Sequence, residues 1–475
     1  MTSMAPHGCD QQDHKLHGSG RADSEGDINL GEGRVRWWAD QSEDVQAGLA
    51  EDSRYFLHQA LSTPCLDLLE GAQGSWLTSV SGKRYLDFHG NSVHQLGHGH
   101  PRVVAAVQRQ LADLPFAPRR YTHQVAIDCA RTLAELAPGD LNRVLFAPGG
   151  SEVVGIALKL ARFITGNSKV VSLWDAFHGA SLDAISVGGE ACFRAGMGPL
   201  MAGVERIPPP TRYRGVWYRG EGDDVHYADY LEYVIEKEGG IGAFIAEPIR
   251  NTDVQVPSKA YWQRVREICD RHKVLLIVDE IPNALGRTGH WFASEGFGIK
   301  PDLMCLAKGI TSGYLPMGAV MVGDRVAKVL VEEGGEFNHG FTYSGHPVAC
   351  AVAIANIQLM QRESIVKRVH DSIGPYLQRR WAELADHPLV GETRGKGLVA
   401  ALEIVQDKQT KRRFPAELHA GMTCREFCFN NGLVMRAVGD TMIISPPLVI
   451  TEEQVDELVD LARLSLDLTA AKLRG

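Results

Sequence analysis

VLLIVDEIPNALGRTG (Val274–Gly289) drives five apolar residues, Val274 to Val278, into two acids, Asp279 and Glu280, and then turns at Pro282. An apolar run of that length, bounded by a turn signal, reads as a fully buried strand. A carboxylate at the end of such a strand is costly to bury unless a cation or hydrogen-bond donors meet it. The stretch therefore asks for a partner to Asp279.

The same pattern recurs on both sides of it. RVLFAPGG (Arg143–Gly150), KVVSLWDAFHG (Lys169–Gly179), GAFIAEPI (Gly242–Ile249), PDLMCLAKG (Pro301–Gly309) and GAVMVG (Gly318–Gly323) are short apolar runs with helical patterns between them. Near-continuous apolar strands separated by helices predict an α/β fold with a mainly parallel, doubly covered sheet. GSWLTSVSGKRYLDF (Gly74–Phe88) reads as a hairpin turning at Ser81-Gly82. PRVVAAVQRQLADL (Pro101–Leu114) reads as a helix with Pro101 in its first turn. After about residue 346, helices and a smaller strand set suggest a second α/β domain. The expected organisation is a large domain over 101–345 and a smaller one from 46–100 and 346–475. Residues 1–45, polar and without apolar periodicity, read as a disordered or loosely attached arm.

Composition narrows the class. The 475 residues are 44% hydrophobic and 23% charged, an ordinary soluble balance. A net charge of -9 without a basic stripe argues against nucleic acid as partner. The run Lys411-Arg412-Arg413 reads as a solvated helix face. Nine cysteines lack a pairing rhythm, no signal peptide is evident, and no apolar run reaches membrane length. A reduced, cytoplasmic compartment is the expectation. His7, His14 and His17 belong to the polar arm, and His94, His98 and His100 in GHGHP are read as shaping a loop, so no metal site is expected.

Ligands of open α/β sheets bind beyond the carboxyl ends of the strands. Here those ends carry Gly149-Gly150-Ser151, Phe177-His178-Gly179, Glu247-Pro248, Asp279-Glu280 and Lys308-Gly309. Lys308 closes an apolar run; burial disfavours its charged form, and a neutral amine can condense with an aldehyde. Backbone N–H groups at Gly150 and Ser151, opening a helix, suit a phosphate. Together with Phe177 and the acids Glu247 and Asp279, these ends could hold a phosphorylated, cationic, aromatic cofactor. Glu280 is open between a cofactor contact and a structural hydrogen-bonding acid.

In this order, YLDFHGNSVHQLGHGHP, GGSEVVGIALKLAR, FHG, AFIAEP, VDEIPNALGRTG, LAKGITSGYLPMGA, FTYSGHP and SPPLVIT resemble the landmarks of the class III aminotransferases, over roughly residues 55 to 470. That family uses pyridoxal 5'-phosphate (PLP) on fold type I, a large domain with a seven-stranded-type sheet plus a smaller α/β domain. The resemblance implies that Lys308 carries the cofactor's aldehyde carbon and Asp279 pairs with its ring nitrogen. It also implies that Phe177 covers the ring and Gly150 and Ser151 hold its phosphate. Thr342 would reach the phosphate of a partner subunit, which implies a homodimer with shared active sites.

Three departures bear on the substrate. Where relatives keep a glutamine just after the acid pair, this chain reads Ile281-Pro282, with Asn283 as a candidate substitute. EPIRNTDVQ (Glu247–Gln255) places Thr252 where some relatives keep a glutamate, and adds Arg250. Met442, Ile443 and Ile444 stand where many relatives keep a fixed arginine, while Arg436 matches a mobile arginine of the amine-transaminase branch. With Arg119 and Arg120 in LPFAPRRYTHQ (Leu114–Gln124), these arginines would suit a small anionic amine such as a phosphonate. The stretches FHGNSVHQ, RRYT, FHGASLDAISVGGEA, IPPP and IRNTDVQ look most like hydroxy-aminoethylphosphonate ammonia-lyases; AKGITSGYLPMGA and FTYSGHP look more like ordinary aminotransferases. The resemblance thus implies a PLP-dependent ammonia-lyase, with an aminotransferase as the alternative and a non-catalytic binding protein as a remote third.

Overall fold

The computed structural model describes residues 32–57, 65–217, 220 and 222–474. Seven strands form the large sheet: β1 (Arg143–Ala147), β2 (Lys169–Leu173), β3 (Val204–Ile207), β4 (Ile241–Ala246), β5 (Leu275–Asp279), β6 (Leu303–Leu306) and β7 (Gly318–Val322). Their order is β1-β7-β6-β5-β4-β2-β3. All neighbours run parallel except β7, which is antiparallel to both β1 and β6.

Alternation explains why these strands read as continuous apolar runs. Phe244, Leu276 and Val278 face one core cluster, and Ala243, Ile245, Leu275 and Ile277 face another on the opposite side. Both faces are covered by helices, so neither parity of side chain can be polar. Polar residues are forced to the strand ends, where β2, β4, β5 and β6 deliver them to one edge of the sheet.

Two smaller four-stranded sheets flank this layer. The expected hairpin forms, with Trp76 opposite Leu86 and Gly82 at φ +80° in the turn. Leu433–Val434 pairs in parallel with Leu86–Asp87, so residues far apart in the chain share one sheet. The second sheet joins Val390–Lys396, Val399–Ile404, Thr441–Ile444 and Arg436–Val438 in antiparallel order. The helix Pro101–Asp113 starts at Pro101 as expected, with the His100 ring accepting from Arg102 N.

Two expectations need correction. The arm expected over 1–45 is helical where it is described, at Glu32–Ala39 and from Glu43 onward; residues 1–31, with His7, His14 and His17, lie outside the described residues. Trp37, Val45 and Leu49 are buried against Tyr85 and Phe429, and this small apolar set anchors a segment whose overall composition is polar. Lys411-Arg412-Arg413 is exposed but lies on a turn rather than a helix, with Lys411 at φ +57° and Arg412 bridged to Asp407. No helix among the described residues is long and apolar enough to cross a membrane.

Candidate active site

Asp279 is the last residue of β5 and is 1% exposed. Its Oδ2 lies 2.7 Å from His178 Nδ1, and its Oδ1 accepts from Ile281 N at 3.0 Å. Burial pushes the His178 imidazole down, but its hydrogen bond to Asp279 and the charges of Asp279 and Glu247 outweigh that, and it stands above its ordinary value. The carboxylate at the strand end thus has a hydrogen-bonding partner within the protein itself, whose proton it helps to hold. Sequence reasoning gave His178 no role, although its place in FHG at the end of β2, beside Phe177, was the available signal.

Lys308 follows β6 at φ +47° and opens a short 3-10 turn, Lys308–Thr311. Left-handed backbone at a lysine is uncommon and marks a position held by its surroundings. Burial pushes its ammonium below the ordinary value, against the pull of Asp279 and Glu247 and helped by the charge of Arg287. Arg287 is fully buried, bonded to the carbonyls of Leu398 and Pro446, and burial drives it down to about 9.

Glu247, just beyond β4, is 3% exposed and accepts from Asn251 N at 3.0 Å. Burial pushes its carboxyl up to about 7, against the charge of His178 and with Asp279 adding to the rise. Among the described residues, neither its Oε2 nor His178 Nε2, both buried, has a hydrogen-bond partner.

Gly150 and Ser151 open the 16-residue helix Gly150–Thr165, whose first N–H groups have no partner within the helix. Gly179 crosses this end at φ +125°, and a Cβ there would stand 2.3 Å from Ser151 Oγ. Ser151 Oγ accepts from Ala180 N at 3.2 Å. Phe177 is half-buried and packs on Phe193 with ring centroids 5.0 Å apart.

These features fit the expected cofactor. A helix N-terminus kept clear by glycine suits a phosphate. A buried carboxylate suits a ring-nitrogen proton, and a lysine with lowered proton affinity suits an aldehyde. Gly150, Ser151, Phe177, Glu247, Asp279 and Lys308 therefore share one edge of the sheet, as their strand ends require.

The other expected residues stand differently. Glu280 is fully buried and accepts from Ala293 N, Ser294 N and Ser294 Oγ, so it caps the next helix and is structural. Asn283 donates its amide to Ile249 O at 2.8 Å. Arg250 is also corrected: it is 5% exposed and clamped by Asp253 at 2.7 and 2.5 Å, with Thr211 Oγ1 at 3.2 Å. A guanidinium already paired with a carboxylate is not offered to a substrate anion. Arg119 and Arg120 are exposed on the turn after Pro118, and Thr342 is exposed on the turn before Pro347. Arg436 begins the strand Arg436–Val438 opposite Ile443, half-buried, and burial pushes its guanidinium down to about 10.

Comparison with known proteins agrees with this geometry. Residues 59–464 match the aminotransferase class-III family. The chain is 50% identical over 450 residues to an (R)-1-hydroxy-2-aminoethylphosphonate ammonia-lyase of Vibrio splendidus, covering 91% of this chain and 92% of the relative. It is 45% identical over 424 residues to a putrescine–pyruvate aminotransferase of Pseudomonas aeruginosa, covering 85% and 91%. A thermostable (S)-enantioselective omega-transaminase from Thermomicrobium roseum superposes with a TM-score of 0.84 at 34% identity, covering 89% of this chain and 98% of that one. The chain belongs to the class III aminotransferase family and is a pyridoxal-phosphate-dependent enzyme of fold type I.

Proposed function

We propose that the protein is an ammonia-lyase acting on a small anionic β-hydroxy amine, converting 1-hydroxy-2-aminoethylphosphonate to phosphonoacetaldehyde and ammonia. The observation that carries this reading is the 50% identity, over 91% of the chain, to the ammonia-lyase of Vibrio splendidus. PLP, when bound, supplies an aldehyde for the substrate amine and an electron sink for the carbanion.

The chain's own groups do the rest. Gly150 and Ser151 hold the phosphate with backbone and hydroxyl donors, and Phe177 covers the ring. Asp279, aligned by His178, keeps a proton on the ring nitrogen, and Glu247 shares that buried charge cluster. Lys308, whose proton affinity burial lowers, would accept the proton from the amine-bearing carbon of a bound substrate. Loss of the neighbouring hydroxyl then gives an enamine, which after release adds water and yields the aldehyde and ammonia. Arg436 meets the anionic end of the substrate. Arg119 and Arg120, exposed on their turn, contribute positive charge at the mouth rather than a buried clamp. Thr342, exposed on its turn, supports a homodimer in which it reaches the partner's phosphate. A cytoplasmic location completes the reading.

An aminotransferase is the second reading, favoured by the 45% identity to the putrescine–pyruvate enzyme. It uses the same lysine, acid and phosphate cup and differs only in the steps after proton removal. Incubating the enzyme with the hydroxylated phosphonate amine, with and without pyruvate, separates the two. A lyase releases ammonia without the keto acid; strict dependence on pyruvate would overturn the lyase assignment.

A further inference from the structure

The loop HGNSVHQL (His89–Leu96) crosses directly over the segment that carries Lys308. A Cβ on Gly309 would stand 2.0 Å from Gln95 Nε2, and one on Gly313 would stand 2.6 Å from Val93 Cγ2. Leu96 N donates to Ser312 Oγ at 3.2 Å. Glycine at 309 and 313 is what lets the two segments lie this close.

The backbone of the loop is strained. Gly90, Asn91 and Ser92 have φ of +42°, +48° and +61°, three consecutive left-handed residues of which two are not glycine. Each such non-glycine residue costs about 1–2 kcal/mol and persists only where its surroundings over-determine it. Asp87 does much of that. Its Oδ1 accepts from Gly90 N at 2.8 Å and His89 N at 3.4 Å, while its Oδ2 is held by His98 Nε2 at 3.0 Å. Backbone bonds from Ser445 N to Phe88 O and from Leu448 N to Gln95 O close the two ends.

This turn sets His89 at its entrance. The residue is 8% exposed, and its ring lies among the charges of Asp87, Lys308, His94 and Arg425. Among the described residues that ring makes no hydrogen bond, so the packing explains its burial but not its polarity. Burial pushes the imidazole down to about 3, which leaves it neutral with one N–H and one lone pair to offer.

We propose that His89 orients the substrate's departing hydroxyl: its imidazole hydrogen-bonds that oxygen and holds it on the side of Lys308. This rests on the lyase reading. Lys308 Nζ takes the proton from the amine-bearing carbon, and that carbon's electron pair becomes the new carbon–carbon double bond. The adjacent C–O bond breaks with its electrons on oxygen. The oxygen takes the proton that Lys308 had gained and leaves as water, so His89 neither gains nor loses a proton.

The test compares holoenzyme carrying His89→Ala or His89→Asn with wild type on two amines, 1-hydroxy-2-aminoethylphosphonate and 2-aminoethylphosphonate, which lacks the hydroxyl. Ammonia release from the first should fall about ten- to a hundredfold in His89→Ala, the size of a lost hydrogen bond or two, and less in His89→Asn. Deuterium exchange at the amine-bearing carbon of the second needs Lys308 but no hydroxyl, and should stay within about twofold of wild type. A binding readout needs no turnover: Lys308→Ala holoenzyme should prefer the hydroxylated amine, and adding His89→Ala should erase that preference. Equal losses of exchange and elimination, or an undiminished binding preference, would overturn the role of His89 while the lyase reading stands. A wild-type enzyme that releases no ammonia without a keto acid removes both.

Discussion

At the carboxyl ends of β2, β4, β5 and β6, charged side chains are buried beside one another with little else to satisfy them. Asp279 has His178, Glu247 keeps one oxygen unpartnered among the described residues, and Lys308 is held below its ordinary proton affinity. The Arg250 region is the opposite case. There an equally buried charge is saturated, with Asp253 taking two of the guanidinium's donors and Thr211 a third. Burial alone therefore does not mark function. What distinguishes the two regions is whether the protein completes its own charges or leaves them for something else to complete, and perturbed groups of the second kind are the ones that cluster at catalytic sites.

The strongest challenge to this distinction is to remove the two charges that the strand ends deliver. Lys308→Ala should lower turnover by about a thousandfold or more, the upper range for loss of a positioned base. The protein should still fold and still take up cofactor through the phosphate cup. Asp279→Asn should lose most activity, because an amide cannot hold the ring proton, yet keep some cofactor as judged by its visible absorption. Undiminished turnover in either variant would mean that the cluster serves only structure.

A second contrast sets Arg436 against Arg250. Arg436→Ala should lower kcat/KM for phosphonate amines about ten- to a hundredfold, the value of one charge-assisted hydrogen bond, with a smaller loss for uncharged amines of equal size. Arg250→Ala should leave Asp253 with only the Gln255 amide and the charge of Arg394 to hold it, destabilise the fold by about 3 kcal/mol, and shift both substrate classes alike. Denaturation curves and paired kinetics read the two effects separately. Substrate discrimination by Arg250→Ala, or none by Arg436→Ala, would reverse the assignment.

Much of this site was legible because its residues are set by local sequence. An apolar run that ends in a polar residue names a strand end, and parallel strands bring those ends to one edge; Asp279, Glu247 and Lys308 follow from that alone. The arginines do not, since the direction of a long side chain depends on neighbours distant in sequence. Arg250 was half an exception, because its partner Asp253 lies only three residues further along EPIRNTDVQ. The helix carrying Trp37 was hidden by its polar surroundings, and its few apolar residues gain meaning only against Tyr85 and Phe429. His178 was passed over because its neighbour Phe177 offered the more familiar role.

A subtler effect is expected of that histidine, on the stability of the cofactor-free enzyme, in which its Nδ1 is bonded to Asp279. Its folded-state proton affinity is raised above the ordinary value, so the stability it adds is fully present below its unfolded pKa, near 6.5. That contribution is lost as pH rises through the higher folded value, at about 1.4 kcal/mol for each unit of separation. The neutral ring can still donate from Nδ1, so part of the hydrogen bond survives at alkaline pH. His178→Phe, which keeps a ring but no donor, should therefore be less stable than wild type, by a margin that is widest in mild acid and narrows on the alkaline side. His178→Asn keeps a donor but cannot titrate, and its deficit should likewise shrink as pH rises while remaining smaller than that of the phenylalanine variant. Thermal unfolding of the three proteins across this range measures both margins. A gap between wild type and His178→Phe that widens with pH would mean that His178 is not the charge partner of Asp279, and that neutral donors such as Ile281 N complete this carboxylate.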